Sequence, residues 1–293
     1  MHGRARLVEM LNDFSDEVHL TGFQNESKNA FLLDEIRILE VIRGPGLPGF
    51  IPRAAFLILL EKKVARLSST AFKLDDTMWT YIEKTVISVL KKYSDKYPEL
   101  FSSMSLAVQD LVAMKRKQSE VWVRDVVEME KMANYTGNPE YEASWRNLMV
   151  HQKVFVEILK HESKPVNMDI DGYGTVDVSH LRGRTGVVHD AFDLNMRLIA
   201  YWKILHRRLV DRIAVHLLFC IQNLVNKEME VQIIKVVNEE LEGKWPEWML
   251  EELPVVAEER KRLNNTVALL KESKDVLAKI SDDIAGISMR QVI

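Results

Sequence analysis

Turn-forming residues are scarce in this chain, with 12 glycines and 8 prolines among 293 residues. Residues 53–97 contain neither, nor do 99–136 or 187–242. Strands and short loops need turn chemistry every few residues, whereas long helices do not. The scarcity excludes a strand-rich fold and predicts an all-α one. A helix filling the first of those stretches would be about 68 Å long at about 1.5 Å per residue. A compact domain of this size has a radius of gyration of only about 19 Å. The expected architecture is therefore an elongated antiparallel helical bundle, a rod or stalk.

Other absences narrow the function. Net charge is −3 and the pI about 6.3, so no global basic field exists to hold nucleic acid. The single cysteine, Cys220, sits in the apolar stretch "AVHLLFCIQ" and reads as a buried core thiol in a reducing compartment. No basic or metal-ligating partner is placed near it by spacing. The first residues lack a charged segment followed by an apolar one, so no signal peptide is expected. The longest apolar run, "IAVHLLFCI", falls far short of the ~20 residues of a membrane span. A cytoplasmic protein is expected, in which the sequons at Asn25, Asn134 and Asn264 are silent.

What is present is helical periodicity. Leu7, Leu11, Phe14 and Val18 recur at three and four in a first helix that starts almost at residue 1 without a convincing cap. The period resumes over Phe31–Ile42. Three glycines and three prolines then crowd the nine positions from Gly44 to Pro52, a stiff hairpin between two helices. Beyond it Phe56, Leu60, Val64, Leu67, Ala71, Leu74, Met78, Ile82, Val86, Val89 and Tyr93 step by three and four. "SDKYPEL" turns the chain into a third segment, with Phe101, Met104, Val108, Leu111, Trp122, Val126, Met129 and Ala133 as its stripe. "YTGNPEY" bends or breaks that helix, and Tyr141, Trp145, Leu148, Phe155 and Leu159 continue the stripe.

Residues 164–186 show no period and read as one long flexible loop. A helix is expected from 188 to 241, apolar on nearly every side between Ile213 and Val225. Such a helix is buried all round, either in a bundle or in a subunit interface. A last helix, 254–284, carries Val256, Leu263, Leu270, Leu277 and Ile284 at intervals of seven, with Val267 and Ile280 widening the stripe.

Chemistry is hard to find. The eight histidines form no pair at i, i+4 and no HExxH, so no metal site and no metal cofactor are expected. Lys115–Lys117 and Arg207–Arg208 read as solvated faces rather than phosphate grips. The tryptophans read as core or interface anchors. A phosphate loop needs GxxxxGK[ST], and the only Gly-Lys pair, Gly243-Lys244, is followed by Trp245. "DIDG" (169–172) and "FKLD" (72–75) match nucleotide-reading patterns by chance, in the wrong order and with no strand beside either. No catalytic or cofactor-binding residue is assigned.

The arrangement resembles a known family. "RGPGLPGFIPRAAFLILLEKKVARL" looks like the start of the second stalk helix in dynamin-related proteins of the Mx type. "VVEMEKMANYTGNPEY" is similar to the end of the dynamin middle domain. "AFDLNMRLIAYWKILHRRLVDRIAVHLLFCIQNLVNKEM", followed by "VAEERKRLNNTVALLKESKDVLAKI", is similar to the GTPase effector domain. The wording is most similar to the plant class-four members, over nearly the whole chain.

The resemblance implies partial middle-domain stalk helices over 1–163, a loop over 164–186 and a GTPase effector domain over 187–293. Within the last, 188–241 would be the final stalk helix and 254–284 a C-terminal bundle-signalling helix. The family's GTP-hydrolysing domain has no counterpart here, which implies a non-catalytic self-assembly module without cofactor. An inherited GTPase activity and an unrelated helical adaptor are the rival readings. Gly44, Ile234 and Val237 would face the interface that links neighbouring stalks, and Met129 the central interface of a stalk dimer. Arg260 would sit at the joint between stalk and bundle-signalling element. The implied partners are further copies of this chain and full-length dynamin-related proteins. Microtubule or membrane contact stays open, although a loop in which Lys164, Arg182 and Arg184 are offset by Asp169, Asp171 and Asp177 is a poor lipid grip.

Overall fold

The computed structural model describes residues 2–20, 30–42, 51–132, 134–161, 166–171, 174–184, 186–239 and 251–290, with side chains at all of these except 2, 20, 237–239 and 281–290. In chain order the helices are α1 (His2–Leu20), α2 (Leu33–Ile42), α3 (Arg53–Ser94), α4 (Pro98–Met132), α5 (Glu140–Met149) and α6 (His151–Lys160). A hairpin of β1 (Asn167–Ile170) and β2 (Gly174–Asp177) follows, then a 3₁₀ turn (Ser179–Leu181). The chain continues through α7 (Val188–Asn223), a π-helical turn (Leu224–Glu228), α8 (Met229–Glu239) and α9 (Pro254–Arg290). The expected all-α class holds. Of the Gly/Pro hairpin only Ile51 and Pro52 lie among the described residues.

Two compact units divide the chain. The first comprises Met1–Glu83 and Val112–Lys227, the second Lys84–Leu111 and Glu228–Ile293. In the first unit the core forms around the first half of α7, against which α1, α2 and α5 pack. Phe155 and Phe192 stack at 4.5 Å, and Phe31 meets both edge-on at 6.4 and 6.5 Å. Such aromatic geometry adds about 0.5–1.5 kcal/mol per pair beyond area burial. Leu32, at φ 63°, occupies the left-handed region that disfavours a branched side chain, and its complete burial offsets the strain.

The apolar stripe of α3 is buried from Leu60 through Val86, as the spacing predicts. It does not continue to Val89 and Tyr93, which are exposed; Leu90 and Ser94 point inward instead. The cause is register: steps of four from Val86 reach 90 and 94, and the Ser94 hydroxyl donates to the Leu90 carbonyl at 2.6 Å. A buried polar link joins α3 to α4, where the Ser119 hydroxyl donates to Asp75 at 2.5 Å. Burial pushes the Asp75 carboxyl above its ordinary range, and the Ser119 hydrogen bond partly opposes it.

Four expectations are corrected. Residues 164–186 are not one structureless loop. Met168, Ile170, Val176 and Val178 alternate inward across an antiparallel pair in which Met168 faces Val176, so a two-residue period was present but short. "DIDG" accordingly begins within β1 rather than away from any strand. The helix expected over 188–241 is interrupted by the π turn at Leu224–Glu228, and its last two positions lie outside the described residues. The stretch Ile213–Val225 is not buried all round within this chain, because Ile213, Leu217, Ile221 and Leu224 face inward while Val215, Phe219 and Val225 stay exposed.

By length and composition the helix over Val188–Val236 could cross a membrane, contrary to the run-length reading, yet its first half is the core of a bundle. Only 28% of its most apolar window is buried, so apolar surface remains on this helix.

The second unit holds the end of α3, the start of α4, α8 and α9. Pro98 opens α4 at its first turn, where its missing N–H costs nothing. Leu90, Ala107, Val108 and Leu111 are buried here. The Leu253 N–H donates to the Lys96 carbonyl at 3.4 Å, fixing the approach to α9. Pro254 starts α9, which runs to Arg290, six residues beyond the expected end at 284.

Candidate assembly surfaces

Met129 stands outward on α4, 51% exposed, because its neighbour Glu130 is drawn inward. Glu130 is only 4% exposed at its side chain and accepts from Arg208; Arg212 approaches its second oxygen at 3.7 Å. Arg208 also donates to the Tyr135 carbonyl at 3.2 Å and to the Tyr201 hydroxyl at 3.3 Å. Burial pulls the Arg208 pKa down, but Glu130 and Tyr201 hold it above its ordinary value; burial raises that of Tyr201. The pairing fixes the rotation of α4 and leaves Met129 and Met132 facing solvent. Arg208 is thus a structural anchor, not the solvated face its dipeptide suggests, whereas Arg207 pairs with Glu140 at the surface. Arg116, in the basic triplet, pairs with Asp76.

Farther along α7, Trp122 of α4 stacks on His216 at 3.7 Å with nearly parallel rings. Cys220 is half-buried, and its Sγ lies 3.6 Å from His216 Nε2, so a His partner four residues away does exist. Spacing could have revealed it, since i and i+4 share a helix face. Burial lowers the His216 pKa, favouring the neutral ring. Val215 and Phe219 flank this pair and are 67% and 65% exposed. These outward residues were not anticipated; the apolar run concealed them.

In the second unit Ile234 is half-exposed on α8. Val237 lies in the same helix, its side chain outside the described set, and Gly44 falls outside the described residues altogether. Arg260 pairs with Glu252 at 3.2 Å, clasping α9 to the segment that leads into it. Beyond Ala257 every described side chain of α9 through Ile280 is exposed. Leu263, Leu270 and Leu277 are 59%, 65% and 66% exposed, and Val267 and Ile280 are open beside them. Val256 is half-buried and the side chain of Ile284 lies outside the described set. Leaving a large aliphatic side chain in water forgoes about 1.5–3 kcal/mol relative to full burial.

Sites for small-molecule chemistry are few. No three His, Cys, Asp or Glu side chains converge among the described residues. A cleft of about 490 Å³ is rimmed by Arg53, Tyr141 and Arg197, but its cations are engaged. Arg53 donates to Asn134 at 2.7 Å; Arg197 pairs with Asp193 at 3.0 Å and lies over the Trp145 ring.

The model of the dynamin central region matches residues 1–150, and that of the dynamin GTPase effector domain matches residues 189–280. The chain is 39% identical over 284 residues to dynamin-related protein 4C of Arabidopsis thaliana. That alignment covers 96% of this chain and 42% of the relative, so the chain spans less than half of the curated protein it matches.

Proposed function

Since the chain belongs to the dynamin-related protein family, with its central region and effector domain, we propose that it is a non-catalytic self-assembly module. It oligomerises with its own copies and co-assembles with longer relatives in the cytoplasm. The observation that supports this most is the aliphatic row of α9, exposed over Leu263, Leu270 and Leu277. Residues seven apart drift only ~20° per repeat on a straight helix, so they make one continuous seam for a partner helix. The outward Met129 supplies a second contact, between stalks.

Sedimentation of the purified chain tests the proposal. Masses above 33.9 kDa are expected at micromolar concentration. Met129→Asp puts a charge into an apolar contact, at a cost of about 2–4 kcal/mol. It should release stalk dimers without loss of helicity. Leu263→Asp/Leu270→Asp/Leu277→Asp should separately abolish capture of a full-length relative. A monomer at every concentration, unchanged by either variant, would remove the assembly role. GTP turnover by the chain alone would restore the enzymatic reading.

A further inference from the structure

The inner face of α7 is mostly apolar, yet His206 stands in it with only 9% of its surface exposed. One ring nitrogen, Nδ1, lies 2.9 Å from the Trp202 carbonyl. A carbonyl only accepts, so Nδ1 carries the proton and the ring's lone pair is on Nε2. That Nε2 is shut from water and has no hydrogen-bond partner among the described residues. Buried polar atoms are satisfied as a rule, so an orphan of this kind calls for an occupant.

His19, in the last turn of α1, packs edge-on against His206 with ring centres 4.7 Å apart. Its side chain is exposed, which opens the pair to solutes from one side. Among the described residues His19 makes no hydrogen bond or ion pair. The two histidines lie on different helices far apart in the chain, so no local spacing could announce them.

The separation suits a shared metal ion. Zinc sits about 2.0–2.1 Å from a ring nitrogen and hence about 3.2 Å from the ring centre. Ligand angles between a right angle and the tetrahedral value then place two ring centres about 4.5–5.2 Å apart. The observed 4.7 Å falls inside that range. His206 also has the habit of a metal-bound imidazole, whose other nitrogen donates to a backbone carbonyl and so fixes tautomer and ring orientation. The surroundings favour a cation. The last carbonyls of α1 carry partial negative charge at this end of the helix. Asp16, exposed one turn before His19, adds a carboxylate on the same side of α1. The neighbouring cation, Arg207, is held by Glu140 at 3.3 Å.

We propose that His19 and His206 form a two-imidazole site for a divalent transition-metal ion of the zinc type, with water in the remaining positions, which ties α1 to α7. Imidazole selects such ions over magnesium, which prefers oxygen ligands. The site does not depend on the assembly reading.

Zinc chloride titrated into the full chain labelled with histidine-15N tests this by nuclear magnetic resonance. The His206 Nε2 resonance should move from its unprotonated position as zinc is added, while its Nδ1–H signal persists. The zinc concentration that shifts it halfway should rise at least tenfold in His19→Ala and in His19→Gln. His19 is exposed, so both variants should keep the helical circular dichroism of the parent. Cys220→Ser, which removes the thiol beside His216, should leave the midpoint unchanged, and magnesium chloride should leave the resonance in place. A His206 resonance unmoved by millimolar zinc would overturn the proposal. So would an unaltered midpoint in both His19 variants, a midpoint that depends on Cys220, or an equal response to magnesium.

Discussion

Two helices of nearly equal length, α7 with 36 residues and α9 with 37, meet opposite environments. The first half of α7 is enclosed: Phe192, Leu194, Met196 and Leu198 have no exposed surface. Every described side chain of α9 beyond Ala257 is exposed. The sequences explain the contrast. Around Ala191–Leu205 apolar residues cover most of the helix circumference, so neighbours must surround it. In α9 they form a seam with Lys, Arg, Glu and Asp on either side, which suits one partner helix or a pair and leaves the rest in water. The second half of α7 is intermediate, with Ile213, Leu217 and Ile221 inside and Val215 and Phe219 outside. Burial thus grades from core to unoccupied seam.

The contrast predicts opposite responses to the same kind of substitution. Phe192→Ala should cost about 3–5 kcal/mol of folding stability by opening a cavity among packed aromatics. Leu270→Ala should change it by no more than about 0.5 kcal/mol. Urea denaturation of the dilute chain followed by circular dichroism reads both. A Leu270→Ala cost approaching that of Phe192→Ala would mean that the seam is already buried.

A smaller effect belongs to the polar anchor beside Met129. Glu130→Ala leaves Arg208 part-buried without its carboxylate and should cost about 3 kcal/mol. Adding Arg208→Met should recover most of that loss, since the stranded charge is then gone. If Glu130→Ala alone were neutral in denaturation, Glu130 would not fix the face of α4.

The smallest effect is one of pH. His206 is buried, its Nδ1–H donates to the Trp202 carbonyl at 2.9 Å, and its Nε2 has no hydrogen-bond partner among the described residues. Burial lowers its pKa, opposed by the Trp202 bond, with His19 packed edge-on at 4.7 Å. Because the folded pKa lies below the unfolded value of about 6.5, the unfolded chain binds the proton first. Stability is therefore lost as pH falls from about 6.5 through the folded pKa, and is unaffected by this group above that window. His206→Leu should flatten the decline without removing it, since the His216 pKa is lowered by burial as well. A pH series of melting temperatures for the two proteins measures the difference.

The helices were legible because each repeats its apolar spacing over many turns. The stripe of α3 and the seam of α9 needed no tertiary information. The β1–β2 hairpin was missed because its alternation lasts only four residues on each strand, among charges that mask it. The Glu130–Arg208 pair was invisible for a different reason, since its members are 78 residues apart and no local period links them. Met129 came from family resemblance, and only Glu130 on the inner face explains why it points outward. Phe219 was hidden by composition, because an apolar run does not say which of its sides lacks a neighbour.

Amide hydrogen exchange over Val256–Ile280 tests most directly whether the seam awaits a partner. In the dilute chain these amides should exchange much faster than those of Phe192–Leu205. They should slow at assembling concentrations or when a full-length relative is added. Exchange in α9 as slow as in α7 at high dilution, with no change on adding that partner, would show the seam already satisfied within one chain and contradict its role in assembly.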